Sequence, residues 1–268
     1  MLRTNPKVKF NSLFNQKLVD DFQSQISLPD GFSIFSKEYT MQHPKFKTQF
    51  IQRLGYLCQS KGNEYLGDYL TDSVAVAHDP SMYGYENQID YIYIRDSRGK
   101  NCAVLLAHRG ECKEVPSWWT VRLICNNNQD KVCKGMAAIL LGLYTYVLKY
   151  KQVQPYGLLE VADGYENIGG YCLYSRFGFE ETTIKCKQFV NDVIMANNIK
   201  QITYDQIIET VNTGKQQIPD TGSTLYCQEL KQASKENRLP LPRDDPKFKV
   251  IREEDSVRLQ EGSSCIIL

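Results

Sequence analysis

A polar stretch, NNNQDKVCK (126–134), runs directly into a long apolar segment that begins at Gly135 and reads GMAAILLGLYTYVLKY. If that segment is a helix, the free N–H groups of its first turn point outward and carry partial positive charge. Gly135, Ala137 and Ala138 let a ligand approach the backbone closely, and Lys131 and Lys134 add charge, so this mouth suits a pyrophosphate. A glycine before an ordinary core helix gives the same string, and a lone Gly-x-Ala is a weak signal. About thirty residues on, NIGGYCLYSRFGFEE (167–181) sets Asn167 at a helix start, a tyrosine hydroxyl at Tyr174 and a helix stop at Gly178. Just before it, the apolar run YGLLEVAD (156–163) carries Glu160. A carboxylate in an apolar strand suits a general base, and equally a structural partner for Arg122. Asp163, Glu111, Glu114 and His108 are further titratable candidates.

The elements that must position these residues follow from periodicity. NSLFNQKLVDDFQSQI (11–26) and HPKFKTQFIQRLGYLCQS (43–60) space their apolar residues as amphipathic helices, with the short strand GFSIFSKEY (31–39) between them. The period then drops to two. IDYIYIRD (89–96), the turn SRGK and NCAVLLAHR (101–109) predict a β-hairpin, and SWWTVRLICN (117–126) a third strand. Residues 134–150 form the strongest helix, 156–163 a buried strand, 166–177 a short helix and FEETTIKCKQF (179–189) a strand. A helical insertion is expected at about 190–218, with Thr203 capping TYDQIIETV, and TLYCQEL (224–230) reads as a last strand. From Lys231 the chain is charged and proline-broken, as in a tail. The sum is an α/β chain, a mixed sheet with helices on its faces. Residues 1–30 form an N-terminal helical extension, 31–230 the main domain and 231–268 a flexible tail.

Composition excludes several classes. Lys+Arg is 32 against Asp+Glu 31, so no strong field marks a nucleic-acid partner. The three histidines have no metal-ligand spacing, so no metal is expected. Nine cysteines, an odd count without CxxC, read as a reduced, cytoplasmic protein whose cysteines act as small hydrophobes. Cys125 and Cys133 flank the Gly135 loop, but no histidine stands near to activate either as a nucleophile. MLRTNPKVKFNS has no apolar signal core, and MAAILLGLY is too short to span a membrane.

Strand, glycine loop, long helix, strand, Asn167, short helix and the string Leu173-Tyr174-x-x-x-Gly178-Phe179 together resemble the GNAT superfamily of acyl-CoA N-acyltransferases. The resemblance is clear over about 89–181 and looser over 31–230. The family's loop, Gln/Arg-x-x-Gly-x-Gly/Ala, reads here Val132-Cys133-Lys134-Gly135-Met136-Ala137, so the leading Gln/Arg contact to phosphate is missing. The resemblance implies that strands 118–125 and 156–163 splay apart at their C-terminal ends. It implies pantetheine pairing with backbone of Leu123, Ile124 and Cys125, and a pyrophosphate on Lys134, Gly135, Met136, Ala137 and Ala138. Asn167 would bond the pantetheine, and Tyr174 would sit near the thioester sulfur. The implied reaction is acetyl transfer from acetyl-CoA to an amine of a protein or small molecule by direct attack in a ternary complex. Glu160 is the candidate base, because the strand SWWTVRLICN lacks the carboxylate some members carry there. Trp118 and Trp119 are candidates to line the acceptor site, with core packing the stronger reading for at least one of them. The alternative is a catalytically silent GNAT-like binding module acting as a membrane-associated interaction protein, which a Met136 or Lys134 side chain blocking the helix mouth would favour.

The chain ends Cys265-Ile266-Ile267-Leu268, a CaaX pattern whose final leucine favours geranylgeranyl. Lys247, Lys249, Arg252 and Arg258 upstream are offset by Asp244, Asp245, Glu253, Glu254 and Asp255, so no polybasic second anchor supports the lipid. The expected partners are thus acetyl-CoA, an amine acceptor, a prenyltransferase and, through Cys265, a membrane surface facing the cytosol. Intact mass of the protein from eukaryotic cells is expected to exceed the chain mass by one isoprenoid, and Cys265→Ser to abolish the increment; an unchanged wild-type mass refutes the modification.

Overall fold

The computed structural model describes residues 12–54, 57–58, 64–79, 88–110, 112–127, 130–161, 167–182, 184, 186, 193–219 and 222–236. Asp163, Glu111, Cys265 and the tail beyond 236 lie outside the described residues. The chain runs α1 (Gln16–Gln23), β1 (Phe32–Ser36), α2 (Lys37–Gln42), α3 (Pro44–Gln52), α4 (Glu64–His78), β2 (Ile89–Asp96), β3 (Asn101–Arg109) and β4 (Trp119–Asn126). It continues with α5 (Met136–Lys151), β5 (Tyr156–Val161), α6 (Ile168–Arg176), β6 (Glu180–Glu181), β7 (Val193–Asn198), α7 (Tyr204–Thr213) and α8 (Gly222–Lys235).

The strands form one sheet in the order β1-β2-β3-β4-β5-β7-β6. All neighbours are antiparallel except β4 and β5, which are parallel and joined by α5. One face packs on the main core, where Leu18, Val19 and Phe22 of α1, Leu140, Leu141 and Tyr144 of α5 and Ile207 of α7 meet Ala103, Leu105 and Val121 of the sheet. The opposite face, with Val104, Leu106, Leu123 and Cys125, packs on Phe50 of α3 and Leu70 and Val74 of α4. The N-terminal segment is stitched to this body by Asp90, whose carboxylate accepts from Ser12 Oγ (2.7 Å) and the Phe14 N–H (3.0 Å).

The hairpin, α5 and the short helix α6 form as the sequence predicts, and Thr203 caps α7 in a reciprocal capping box with Gln206. Three expectations are corrected. The expected helical insertion at 190–218 contains a strand: VIMANN of β7 pairs with β5 and β6, and helix is confined to Tyr204–Thr213 beyond a short 3-10 turn. A short apolar run reads either way by periodicity alone, and its pairing to β5 decides it. TLYCQEL is not a strand. Its buried residues Ser223, Tyr226, Cys227, Leu230 and Ala233 repeat every three to four positions, and α8 runs on to Lys235, past the expected boundary at 230.

The third correction concerns the cysteines. Eight of the nine pair as disulfides: Cys58–Cys125, Cys102–Cys133, Cys112–Cys186 and Cys172–Cys227. The partners stand 31 to 74 residues apart and are brought together only by the fold. The paired sulfurs stand where free thiols acting as small hydrophobes are expected from the odd count. The sequence reading also assigns no element to Glu64–His78, which is a 15-residue helix. The 21-residue stretch Lys131–Lys151 is apolar enough to cross a membrane by length and composition, yet 67% of its most apolar window is buried here, as in a core helix.

What positions the site is the contact between β4 and β5. Among the described residues, direct pairing is confined to Thr120↔Leu158 and Val121↔Leu159. On its N-terminal side, the Tyr144 hydroxyl enters between the strands, within 2.9 Å of Trp119 O and 3.0 Å of Leu158 O, and accepts from the Leu158 N–H at 3.2 Å. Gln154 clamps the same end: its Oε1 accepts from the Trp119 N–H (2.6 Å) and its Nε2 donates to Trp119 O (2.9 Å) and Tyr156 O (2.8 Å). Tyr144→Phe removes the acceptor for a buried N–H and is expected to lower unfolding free energy by about 1–3 kcal/mol, read by urea denaturation; no loss would mean the hydroxyl is incidental.

Candidate functional site

Beyond Val121 and Leu159 the two strands part. β4 continues through Asn126, paired on its other side with β3, while among the described residues Leu123, Ile124, Cys125 and Asn126 make no pairing to β5. This is the splay that the resemblance implies. Peptide groups on the open edge of a strand seek partners, so this edge is suited to an extended ligand. Leu123 and Cys125 face the α4 side of the sheet, Ile124 the α5 side.

The open end of the groove leads to the mouth of α5. Asp130 caps a 3-10 turn, Lys131–Cys133, by accepting from the Val132 N–H (3.1 Å), and its carboxylate also pairs with Lys100 (2.8 Å). Gly135 then turns the chain with φ +88°, a conformation that costs an ordinary residue about 1–2 kcal/mol. It stands at the N-cap of α5, which has no side-chain cap, so the helix N-terminus faces outward undressed. A Cβ added at Gly135 would meet nothing within 4 Å among the described residues. Met136 turns its side chain into the core, and Lys134 is exposed, as is Val132 at the place of the family's Gln/Arg. Ala137 and Ala138 are half-buried on the first turn. The mouth is therefore open at Gly135, and Met136 does not block it.

Across the groove, the Asn167 side chain caps α6 by accepting from the Gly170 N–H (3.0 Å), and the residue is exposed. Tyr174, on the same helix, is buried against the main core. Burial first, and then the charge of Glu160, push its hydroxyl pKa well above that of an ordinary tyrosine. Tyr174 thus remains a protonated donor at neutral pH and lies within electrostatic reach of Glu160. Glu160 forms an ion pair with Arg122 of β4. Of the two roles open to it in the sequence, the structure shows the structural pairing.

The remaining candidates separate. Glu114 sits in the turn between β3 and β4, at the closed end of the β4–β5 contact. His108 pairs with Thr120 and lies near Tyr69 of α4, one step back from the parting of the strands. Trp118 stacks on Tyr156 and Trp119 belongs to the main core, so both pack at the closed end of the β4–β5 contact, the reading the sequence favours for at least one of them. Cys125 and Cys133 are tied up in disulfides and are not nucleophiles. Arg122 was missed as a site residue: the sequence offers it only as a partner for Glu160, and its special place at a β-bulge depends on strand register.

No known family model matches the chain, and no curated protein matches it. Solved structures with a similar layout include an acetyltransferase of the GNAT family from Streptococcus pneumoniae (14% identity, 62% of this chain and 99% of that one, TM-score 0.40). Others are a probable acetyltransferase from Staphylococcus epidermidis (10%, 62% and 98%, TM-score 0.43) and an uncharacterized protein from Bacillus halodurans (8%, 69% and 91%, TM-score 0.46). At these identities and TM-scores the likenesses are of layout and say nothing of the reaction or its substrates.

Because the space before Gly135 is open, Gly135→Ala has only its backbone conformation to overcome. Its unfolding free energy is expected to fall by about 1–2 kcal/mol in urea titration; a much larger loss would mean that the mouth of α5 is closed by contacts.

Proposed function

We propose that this chain is a GNAT-type acyltransferase that moves an acetyl group from acetyl-CoA to an amine. The observation that carries the reading is the parting of β4 and β5 after two residue pairs, in a groove that opens toward the uncapped, glycine-led start of α5. An extended pantetheine needs backbone partners along one strand, and a pyrophosphate needs unblocked N–H groups at a helix start. Leu123, Ile124 and Cys125 would supply the first, and Gly135, Met136 and Ala137 the second, with Lys134 adding charge; the Ala138 N–H already donates to Gly135 O (3.0 Å). Asn167 spends its Oδ1 on the helix cap, so its Nδ2 is the atom that would meet the pantetheine.

In the reaction proposed, the amine nitrogen attacks the thioester carbonyl, the C–N bond forms, the C–S bond breaks and CoA leaves as thiolate. The nitrogen gives up one proton and the thiolate gains one, so the sum is an amide and free CoA. Tyr174, buried and protonated, would donate a hydrogen bond to the departing sulfur. The acceptor is an amine of a protein or of a small molecule. We include in the proposal a lipid on Cys265, which would hold the enzyme at a cytosolic membrane surface.

Calorimetric titration with acetyl-CoA is expected to show binding by the wild type and none by Gly135→Glu, whose carboxylate would occupy the phosphate site. Tyr174→Phe is expected to bind as the wild type does yet transfer to a screened amine about 10²–10³-fold more slowly, the loss that follows removal of one hydrogen-bond donor to a developing charge. A wild type that binds neither acetyl-CoA nor CoA refutes the acyltransferase reading.

A further inference from the structure

Val121 and Leu159 are the last residues that β4 and β5 pair through their backbones. The next residue on each strand is charged, and the two side chains, Arg122 and Glu160, form an ion pair across the widening gap. Both are buried, 9% and 4% exposed. Arg122 is also a bulge: Leu106 pairs with Leu123 and Ala107 with Val121, which leaves Arg122 as the extra residue against β3. The extra residue reverses the alternation of β4. Val121 faces the α5 core, whereas Leu123 and Cys125 face α3 and α4. On β5, Leu159 and Val161 face the α5 core, so Glu160 projects from the opposite face.

A buried ion pair is a poor device for stability, since apolar residues of similar size often do as well or better. Its location at the step where the ladder stops calls for a different account. We propose that Arg122 and Glu160 are a positioning pair: their side-chain link succeeds the backbone ladder and sets how far β4 and β5 part, and with it the width of the acyl-CoA groove. The consequence for the ligand rests on the acyltransferase reading; the link between the strands does not. In this role Glu160 acts through Arg122 and is not the base.

Two readouts separate these levels. The first needs no ligand: amide hydrogen exchange of the full chain. Glu160→Gln is expected to speed exchange over residues 122–126 and 160–161, and the charge-swapped Arg122→Glu/Glu160→Arg to return it toward the wild-type rate. The second is calorimetric affinity for acetyl-CoA. Glu160→Gln is expected to lose about tenfold, equal to about 1.4 kcal/mol, and the swapped pair to recover most of it. The apolar pair Arg122→Met/Glu160→Leu is expected to be as stable as the wild type in urea yet to bind as weakly as Glu160→Gln, which a purely structural filler would not do. Unchanged exchange in Glu160→Gln, or wild-type affinity in the apolar pair, overturns the proposal. Faster exchange in a protein whose wild type binds no acetyl-CoA upholds the link between the strands and overturns the acyltransferase reading alone.

Discussion

The structure hangs on a parallel contact two residue pairs long. β4 and β5 run the same way, so the chain must cross over between them, and α5 is that crossover. A crossover helix begins where the first strand ends. The N-terminus of α5 therefore arrives at the C-terminal end of β4, the same end at which β4 and β5 separate. The positive end of a helix dipole and an open strand edge come together through connectivity, before any side chain is chosen. Side chains then make the arrangement specific. Tyr144 and Gln154 engage one side of the short ladder, Arg122 and Glu160 follow it on the other, and Gly135 keeps the helix mouth clear.

The glycine has a defined part in this. A loop arriving from β4 must turn sharply to enter α5, and Gly135 does so with φ +88°. The turn is held from behind by Asp130, which caps Lys131–Cys133 and is paired to Lys100 at the start of β3, while Cys133 is bonded to Cys102 on that strand. The loop is thereby fixed to the sheet on the side away from the groove. What it presents toward the groove is backbone and the small side chains of the first helical turn.

Much of this could be read locally. The hairpin 89–109 shows its period of two, α5 its apolar length, Thr203 and Gln206 their capping box, and Gly135 and Tyr174 their places in motifs. Each is a property of neighbours in the chain. What could not be read depends on partners far away in sequence. VIMANN becomes a strand because β5 offers it an edge, and the eight cysteines find partners only once the chain is folded. The bulge at Arg122 exists only in register with β3, and it turns a residue that reads as an ordinary strand position into the one facing Glu160. Trp118 and Trp119 depend on the fold in the same way: the direction of β4 puts them at the closed end of the groove, packed against Tyr156 and the core.

The geometry also narrows the chemistry that such a groove can perform. An alkyl thiol has a reference pKa of about 8.5 and a phenol about 10, so passing a proton from an ordinary tyrosine to a leaving thiolate is uphill by about 2 kcal/mol. Burial and the nearby Glu160 charge raise Tyr174 further and widen that gap. In the proposed reaction its contribution would then be a hydrogen bond to the sulfur as charge builds, with the proton itself supplied from solvent. Such a bond gains strength in a site that excludes water. Arg122 bears on this directly. Its charge pairs with Glu160 and offsets part of the carboxylate's field; without it, the full negative charge of Glu160 would act on Tyr174 and would oppose the build-up of thiolate in the proposed reaction.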